Sequence, residues 1–102
     1  MKIKYNLTNN TLYLYFIGEL DECTAGKTRD SIDKLITDII GIDRVVFNLK
    51  DLSFMDSTGI GMLIGRYKKL KKSGISVFIE NPSVATEKII EVSGLYKIMP
   101  KI

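Results

Sequence analysis

"SFMDSTGIGMLIGRYKK", residues 53–69, sets an apolar strand-like run against a helix-like run that ends in cations, and Asp56-Ser57-Thr58-Gly59 stands at the junction. Asp, Ser and Thr are good N-cap residues, so this step predicts a helix starting near Ser57. Ile60, Leu63, Ile64, Tyr67 and Leu70 fall on its inner face, and Gly74 stands just past its end. One of the three polar residues is expected to accept from the amides of Gly59 and Ile60.

The flanking segments repeat this alternation of strand and helix. "KIKYNLTNNTLYLYFIGEL" alternates polar and apolar residues on both sides of Asn9-Asn10, which predicts a hairpin. From Thr24 to Ile40, the positions Ile32, Leu35, Ile36, Ile39 and Ile40 have helical spacing, with Gly41 expected as a left-handed cap. "RVVFNL" (44–49) and "ISVFIE" (75–80) read as strands apolar on both sides. Asn81-Pro82 is expected to open a third helix with Ala85, Ile89 and Val92 on one face, and "LYKIM" (95–99) reads as a weak last strand. The result is an α/β fold, a single domain over 1–102. Its mixed sheet is parallel inside, with a hairpin strand antiparallel at one edge and about three helices.

Composition restricts the function. The chain has 102 residues, 45% hydrophobic and 26% charged, which are ordinary globular values. No apolar run is long enough for a membrane span and the start lacks a signal peptide, so a cytoplasmic location without membrane contact is expected. The single cysteine, Cys23, fits a reducing compartment and excludes a multi-cysteine metal site. Formal net charge is +3, and five cations lie in "RYKKLKK" (66–72). Cations near a helix C-terminus complement the helix dipole, and no aromatic platform or arginine-rich arm accompanies this run, so direct nucleic-acid binding is not expected.

The chain has no histidine, which removes the usual base for a serine nucleophile. An aspartic protease dyad is excluded by the extra residue between Asp56 and glycine and by helical flanks. A phosphate-binding loop lacks its Gly-Lys-Ser/Thr, and a receiver domain lacks acidic residues grouped around a metal, since only Glu19 and Asp21 lie near the first strands. No catalytic residue, metal or cofactor is therefore expected. A helix N-terminus does suit an anion, so a phosphate on Ser57 would be tolerated there. Gly59 and Gly61 each weaken a first helical turn by about 1 kcal/mol relative to Ala, which makes sense if another protein's backbone comes close.

"DLSFMDSTGIGMLIGRYKKLK" closely resembles the phosphorylated segment of anti-sigma factor antagonists, the STAS-domain family. "GELDECTA" (18–25) is similar to the family's Gly-Glu-Leu-Asp step, and "VSGLYKIM" (92–99) to its late Ser-Gly-Leu segment. The resemblance covers essentially the whole chain, and Gly65-Arg66-Tyr67-Lys68 is most similar to the sporulation branch rather than the general-stress branch. It implies a switch: the unphosphorylated protein binds an anti-sigma factor that is also a serine kinase and so releases the sigma factor. Phosphorylation of Ser57 ends the interaction, and a PP2C-type phosphatase restores it. ATP and metal belong to those partner enzymes.

By the same resemblance the partner-binding residues are Asp21, Asp56, Ser57, Thr58, Gly59 and Gly61, although Asp21 equally reads as an acid at a helix start. A STAS-like module that answers to a nucleotide, lipid or scaffold and is never phosphorylated is the alternative. Family members usually continue for a further helix, whereas this chain ends at Ile102. That departure predicts an uncovered apolar surface near "LYKIM" and a monomer or weak homodimer.

Overall fold

In the computed structural model, which describes residues 1–102, the chain first turns back on itself at Asn9 and Asn10. Both take left-handed backbone, with φ of 49° and 65°, a pair of angles that Asn tolerates and that a two-residue hairpin requires. The turn joins β1 (Lys2–Thr8) to β2 (Thr11–Leu20) in antiparallel register, Lys2 opposite Ile17 and Thr8 opposite Thr11. There follow α1 (Ala25–Asp38), β3 (Arg44–Asn48), β4 (Leu52–Met55), α2 (Ser57–Lys72), β5 (Ser76–Glu80) and α3 (Val84–Ser93). The α/β class and the mixed sheet with a hairpin edge and three helices are those read from the sequence, whereas the identity of the fifth strand is not.

The ten-residue β2 takes two parallel partners in succession along one edge. Thr11–Tyr15 pairs with β3, and Gly18–Leu20 pairs with β4 across an irregularity at Gly18/Glu19. β5 lies parallel on the far side of β3. The sequence reading ran the chain from β3 straight to the helix. The structure inserts β4, because Asp51 N-terminally and Asp56 C-terminally bracket a run short enough to pair only with the end of β2.

Leu12, Leu14, Phe16, Val45, Phe47, Val77 and Ile79 face the helices and join Ile32, Leu63, Leu70, Ile90, Leu95 and Met99 in one buried cluster. The rings of Phe16 and Phe47 meet edge-on, centroids 5.6 Å apart. Val46 is buried but lies outside this cluster. All three helices contribute to the one cluster, so β3 is covered by helices on one face only, and Val46 is enclosed by its neighbours in the sheet.

Three local expectations are corrected. The first helix ends at Asp38 and Ile40 is 93% exposed; Ile39 is already extended, so Gly41, φ 84°, turns the following loop rather than capping the helix. Asn81 takes left-handed backbone, φ 46°, and Ser83 is the N-cap of α3. The Ser83 hydroxyl donates to the Leu52 carbonyl at 2.6 Å, which ties α3 to β4 and turns Thr86 and Ile90 inward instead of Ala85 and Val92.

Finally, "LYKIM" is not a strand. Gly94, φ 76°, closes α3 and Leu95–Lys97 form a 3-10 turn, in which Leu95 and Met99 sit four residues apart and are both fully buried. Strand-like pairing comes later, where Ile79 N–H donates to the Pro100 carbonyl at 3.0 Å and Ile102 N–H to the Ile79 carbonyl at 2.9 Å. The expected apolar opening at Leu95–Met99 is therefore filled, and the face the helices leave bare is the other side of the sheet.

Candidate functional site at the start of the second long helix

β4 delivers the chain to Asp56 at the end of the sheet where parallel strands finish. Asp56 has extended backbone, its N–H donates to the Leu20 carbonyl at 3.3 Å, and its carbonyl accepts from Ile60 N–H at 3.1 Å. Its carboxylate Oδ1 accepts from Gly59 N–H at 3.1 Å, which makes it the N-cap expected from the sequence. Ser57 is the first helical residue, and both Ser57 and Thr58 are exposed. Neither of their N–H groups finds a carbonyl in the chain, so two of the helix's orphan donors point outward beside the Ser57 hydroxyl.

The two glycines of this turn differ. A Cβ on Gly59 would lie 2.7 Å from Met55 Cγ and 2.9 Å from the Leu20 carbonyl oxygen. Gly59 is buried, so the backbone that comes close to it is its own, which corrects the expectation that it faces a partner. Gly61 is exposed and a Cβ there would meet nothing within 4 Å. Nothing inside the fold requires glycine at that position.

Asp21 sits in the loop between β2 and α1, next to Leu20, which touches both Asp56 and Gly59. Its Oδ1 accepts from Cys23 N–H at 2.9 Å and Thr24 N–H at 3.1 Å. In return Asp21 N–H donates to the Thr24 hydroxyl at 3.0 Å, and that hydroxyl donates to the Glu19 carbonyl at 2.8 Å. This is the helix-start role that the residue type allowed. The Asp21 and Asp56 turns therefore lie side by side at one end of the sheet.

Between them, α1 and α2 border a cleft of about 360 Å³ lined by Glu22, Gly26, Arg29, Thr58, Gly61 and Arg66. Deeper along the same pair of helices, Asp33 Oδ1 lies 3.0 Å from Arg66 Nε and 3.5 Å from Lys69 Nζ. The angle at Arg66 is poor for a hydrogen bond, so the contact is chiefly one of charge. Sequence reasoning missed it because the partners lie on different helices. Lys71 Nζ lies 3.1 Å from the Tyr67 hydroxyl, so three of the five cations at the end of α2 are engaged by their own domain.

Chemically the site presents an exposed Ser57 hydroxyl beside unpaired amides at a helix N-terminus. There is no histidine, and the neighbouring carboxylate is occupied by its cap. No group of three or more acidic, histidine or cysteine side chains is placed to hold a metal ion. No helix is long and apolar enough to cross a membrane.

The STAS domain family model matches residues 2–102. The anti-sigma F factor antagonist of Paenibacillus polymyxa is 32% identical over 98% of this chain and 85% of its own length. The anti-sigma-B factor antagonist of Bacillus subtilis is 34% identical over 88% of this chain and 80% of its own. Among solved structures, the anti-sigma factor antagonist SpoIIAA in its unphosphorylated form superposes with a TM-score of 0.80 at 28% identity, covering 99% of this chain and 88% of that one. SpoIIAA from Bacillus in its phosphorylated form gives 0.72, also at 28% identity, over 99% and 91%. A sulfate transporter family protein from Wolinella succinogenes shares the fold alone, with a TM-score of 0.72 at 12% identity over 90% of this chain and 73% of that one.

Proposed function

The chain belongs to the STAS domain family, and from that premise we propose that it is an anti-sigma factor antagonist, a regulatory protein without enzymatic activity of its own, switched by phosphorylation of Ser57. The observation that carries the reading is the exposed Ser57 hydroxyl at a capped helix start whose Ser57 and Thr58 N–H groups are unpaired. In the unphosphorylated state Asp56, Ser57, Thr58 and Gly61, together with the Asp21 loop, form a contact surface for an anti-sigma factor that is also a serine kinase. Gly61 lets the partner's backbone approach, and Gly59 serves from inside by seating the helix on Leu20 and Met55.

A phosphate on Ser57 would be accepted by its own helix, because two free N–H groups and the positive end of the dipole meet it. Across the interface it adds close to two negative charges beside Asp56, which opposes any acidic or tightly packed partner surface. The switch is thus local charge and bulk with no refolding. ATP and metal are supplied by the kinase, and a PP2C-type phosphatase resets the protein. Gly65-Arg66-Tyr67-Lys68 favours the sporulation branch as the pathway.

A second reading, a STAS module that binds a small ligand or scaffold and is never phosphorylated, draws on the fold shared with a transporter family protein. Incubation with the anti-sigma factor kinase of the same organism, ATP and Mg²⁺, followed by mass spectrometry of the tryptic peptide Asp51–Arg66, separates the two. One phosphate, absent from Ser57→Ala, is expected, and circular dichroism of the two forms should superimpose. An unmodified peptide supports the second reading, and a phosphate retained on Thr58 removes Ser57 from the mechanism.

A further inference from the structure

The alternation of β2 sends Leu12, Leu14 and Phe16 into the core and Tyr13, Tyr15 and Ile17 to the opposite face, which no helix covers. Strand register extends that face into rows. Asn6, Tyr13, Val46 and Phe78 lie across the sheet in one row, and Lys4, Tyr15, Asn48 and Glu80 in the next. Arg44 and Lys2 stand in the outer rows, and Arg44 lies over the Phe78 ring, 5.2 Å from its centroid. None of Lys2, Lys4 and Arg44 is in an ion pair with a carboxylate. Glu80, the carboxylate in these rows, accepts from Asn48 Nδ2 at 2.8 Å.

We propose that this open sheet face binds single-stranded nucleic acid, with Tyr13, Tyr15 and the Arg44–Phe78 pair as stacking surfaces and Lys2 and Lys4 contacting phosphates. Sheet faces that carry aromatic rings between cations bind unstacked bases, because every base has a π-face and the backbone is anionic. Tyr13 and Tyr15 are two residues apart on one strand, about 6.7 Å, roughly twice the spacing of stacked bases, so each can meet a splayed base. A second copy of this chain on the same face would set cations against cations. Tyr13, Tyr15 and Phe78 are each half-buried in the sheet face, which suits a base laid over them better than insertion into a bilayer. The sequence reading expected no nucleic acid because it weighed the cations of α2, and those lie on a different surface. The proposal is independent of the switch at Ser57.

The test is fluorescence anisotropy of the full chain with a labelled oligouridylate and oligothymidylate of about 12 nucleotides, within the length one small domain occupies. Saturable binding is expected, with a log–log salt slope of about −1.4 for two phosphate contacts. Tyr13→Leu and Tyr15→Leu should each weaken binding about ten-fold, whereas Tyr13→Phe and Tyr15→Phe should retain it. Lys2→Gln with Lys4→Gln, both on an exposed edge strand, should bring the slope close to zero. Thermal melting of each variant checks that it is folded. No saturable binding overturns the proposal. So does equal affinity for a duplex of the same length, dependence on Lys68 and Lys72 instead of the tyrosines, or binding confined to phosphatidylserine vesicles.

Discussion

The first and second helices begin side by side at the same end of the sheet, and they begin differently. At the start of α1, the Asp21 carboxylate accepts two amides while the Thr24 hydroxyl both accepts from Asp21 N–H and donates to the Glu19 carbonyl. At the start of α2, the Asp56 carboxylate holds only Gly59 N–H, and the hydroxyl and N–H of Ser57 and the N–H of Thr58 remain free. Each first turn leaves two N–H groups without an acceptor, those of Gly26 and Lys27 in α1 and those of Ser57 and Thr58 in α2. The two helix starts differ in the hydroxyl beside those amides: Thr24 Oγ1 is tied into its own loop, whereas Ser57 Oγ is free and exposed.

The largest test of that contrast is steric. Gly59→Ala should cost about 1–3 kcal/mol in urea denaturation, since the new methyl meets Met55 and the Leu20 carbonyl at under 3 Å. Gly61→Ala, with nothing within 4 Å, should instead gain up to about 1 kcal/mol through helix propensity. Equal effects would mean that the two glycines share one role.

Next come the caps. Asp21→Ala and Asp56→Ala should each lose about 1 kcal/mol, with Asp21 the larger because it satisfies two N–H groups rather than one. The reverse order would mean that the number of amides a carboxylate holds does not set its contribution.

Ser57→Asp should stabilise the fold by about 0.3 kcal/mol at low salt, an effect that fades as salt screens the charge at the helix end. Destabilisation by this change would show that the free amides do not welcome an anion.

A further pH-dependent effect lies away from both starts. Burial raises the Glu87 carboxyl, but hydrogen bonds from Tyr96 and Lys101 outweigh it and leave the group below its ordinary 4.5. The stability it contributes is present above pH 4.5 and is lost as pH falls through the lower folded value. Glu87→Gln should remove that acid-side loss, under about 1 kcal/mol, without moving either helix start. Burial first, and Glu87 second, raises the Tyr96 phenol above its ordinary 10.0, so its contribution falls only as pH climbs past 10.0.

How much of this was legible depends on whether the signal was local. The Asn9-Asn10 turn, the cap at Asp56 and the inward face of α2 are set by residues within one turn of each other, and they stand where the sequence placed them. The strand-like run before Asp56 stayed out of the expected strand order because four residues are too few to show a period and the partner strand lies about 34 residues upstream. Asn81-Pro82 carried a helix-start signal that lost to Ser83, whose hydroxyl has the Leu52 carbonyl to bind. The internal role of Gly59, the Asp33–Arg66 contact and the row of Tyr13, Val46 and Phe78 all depend on chain segments that meet only after folding. At the site, Ser57 could be read from its neighbours in sequence, whereas the commitment of Asp21 to its own loop could not be decided there.

The long second strand also sets an order of assembly. β1 and β2 can close first, since their turn spans two residues and brings distant parts of the chain no cost of loop closure. β3 must return past α1 to reach the same strand, and β4 has only Gly18, Glu19 and Leu20 of β2 to pair with. Ser57 follows directly on β4, the shortest strand of the sheet. Amide hydrogens of Leu52–Met55 should therefore exchange faster than those of Leu12–Phe16, and the chain leading into Ser57 is then held by the fewest ladder bonds of any strand in the sheet.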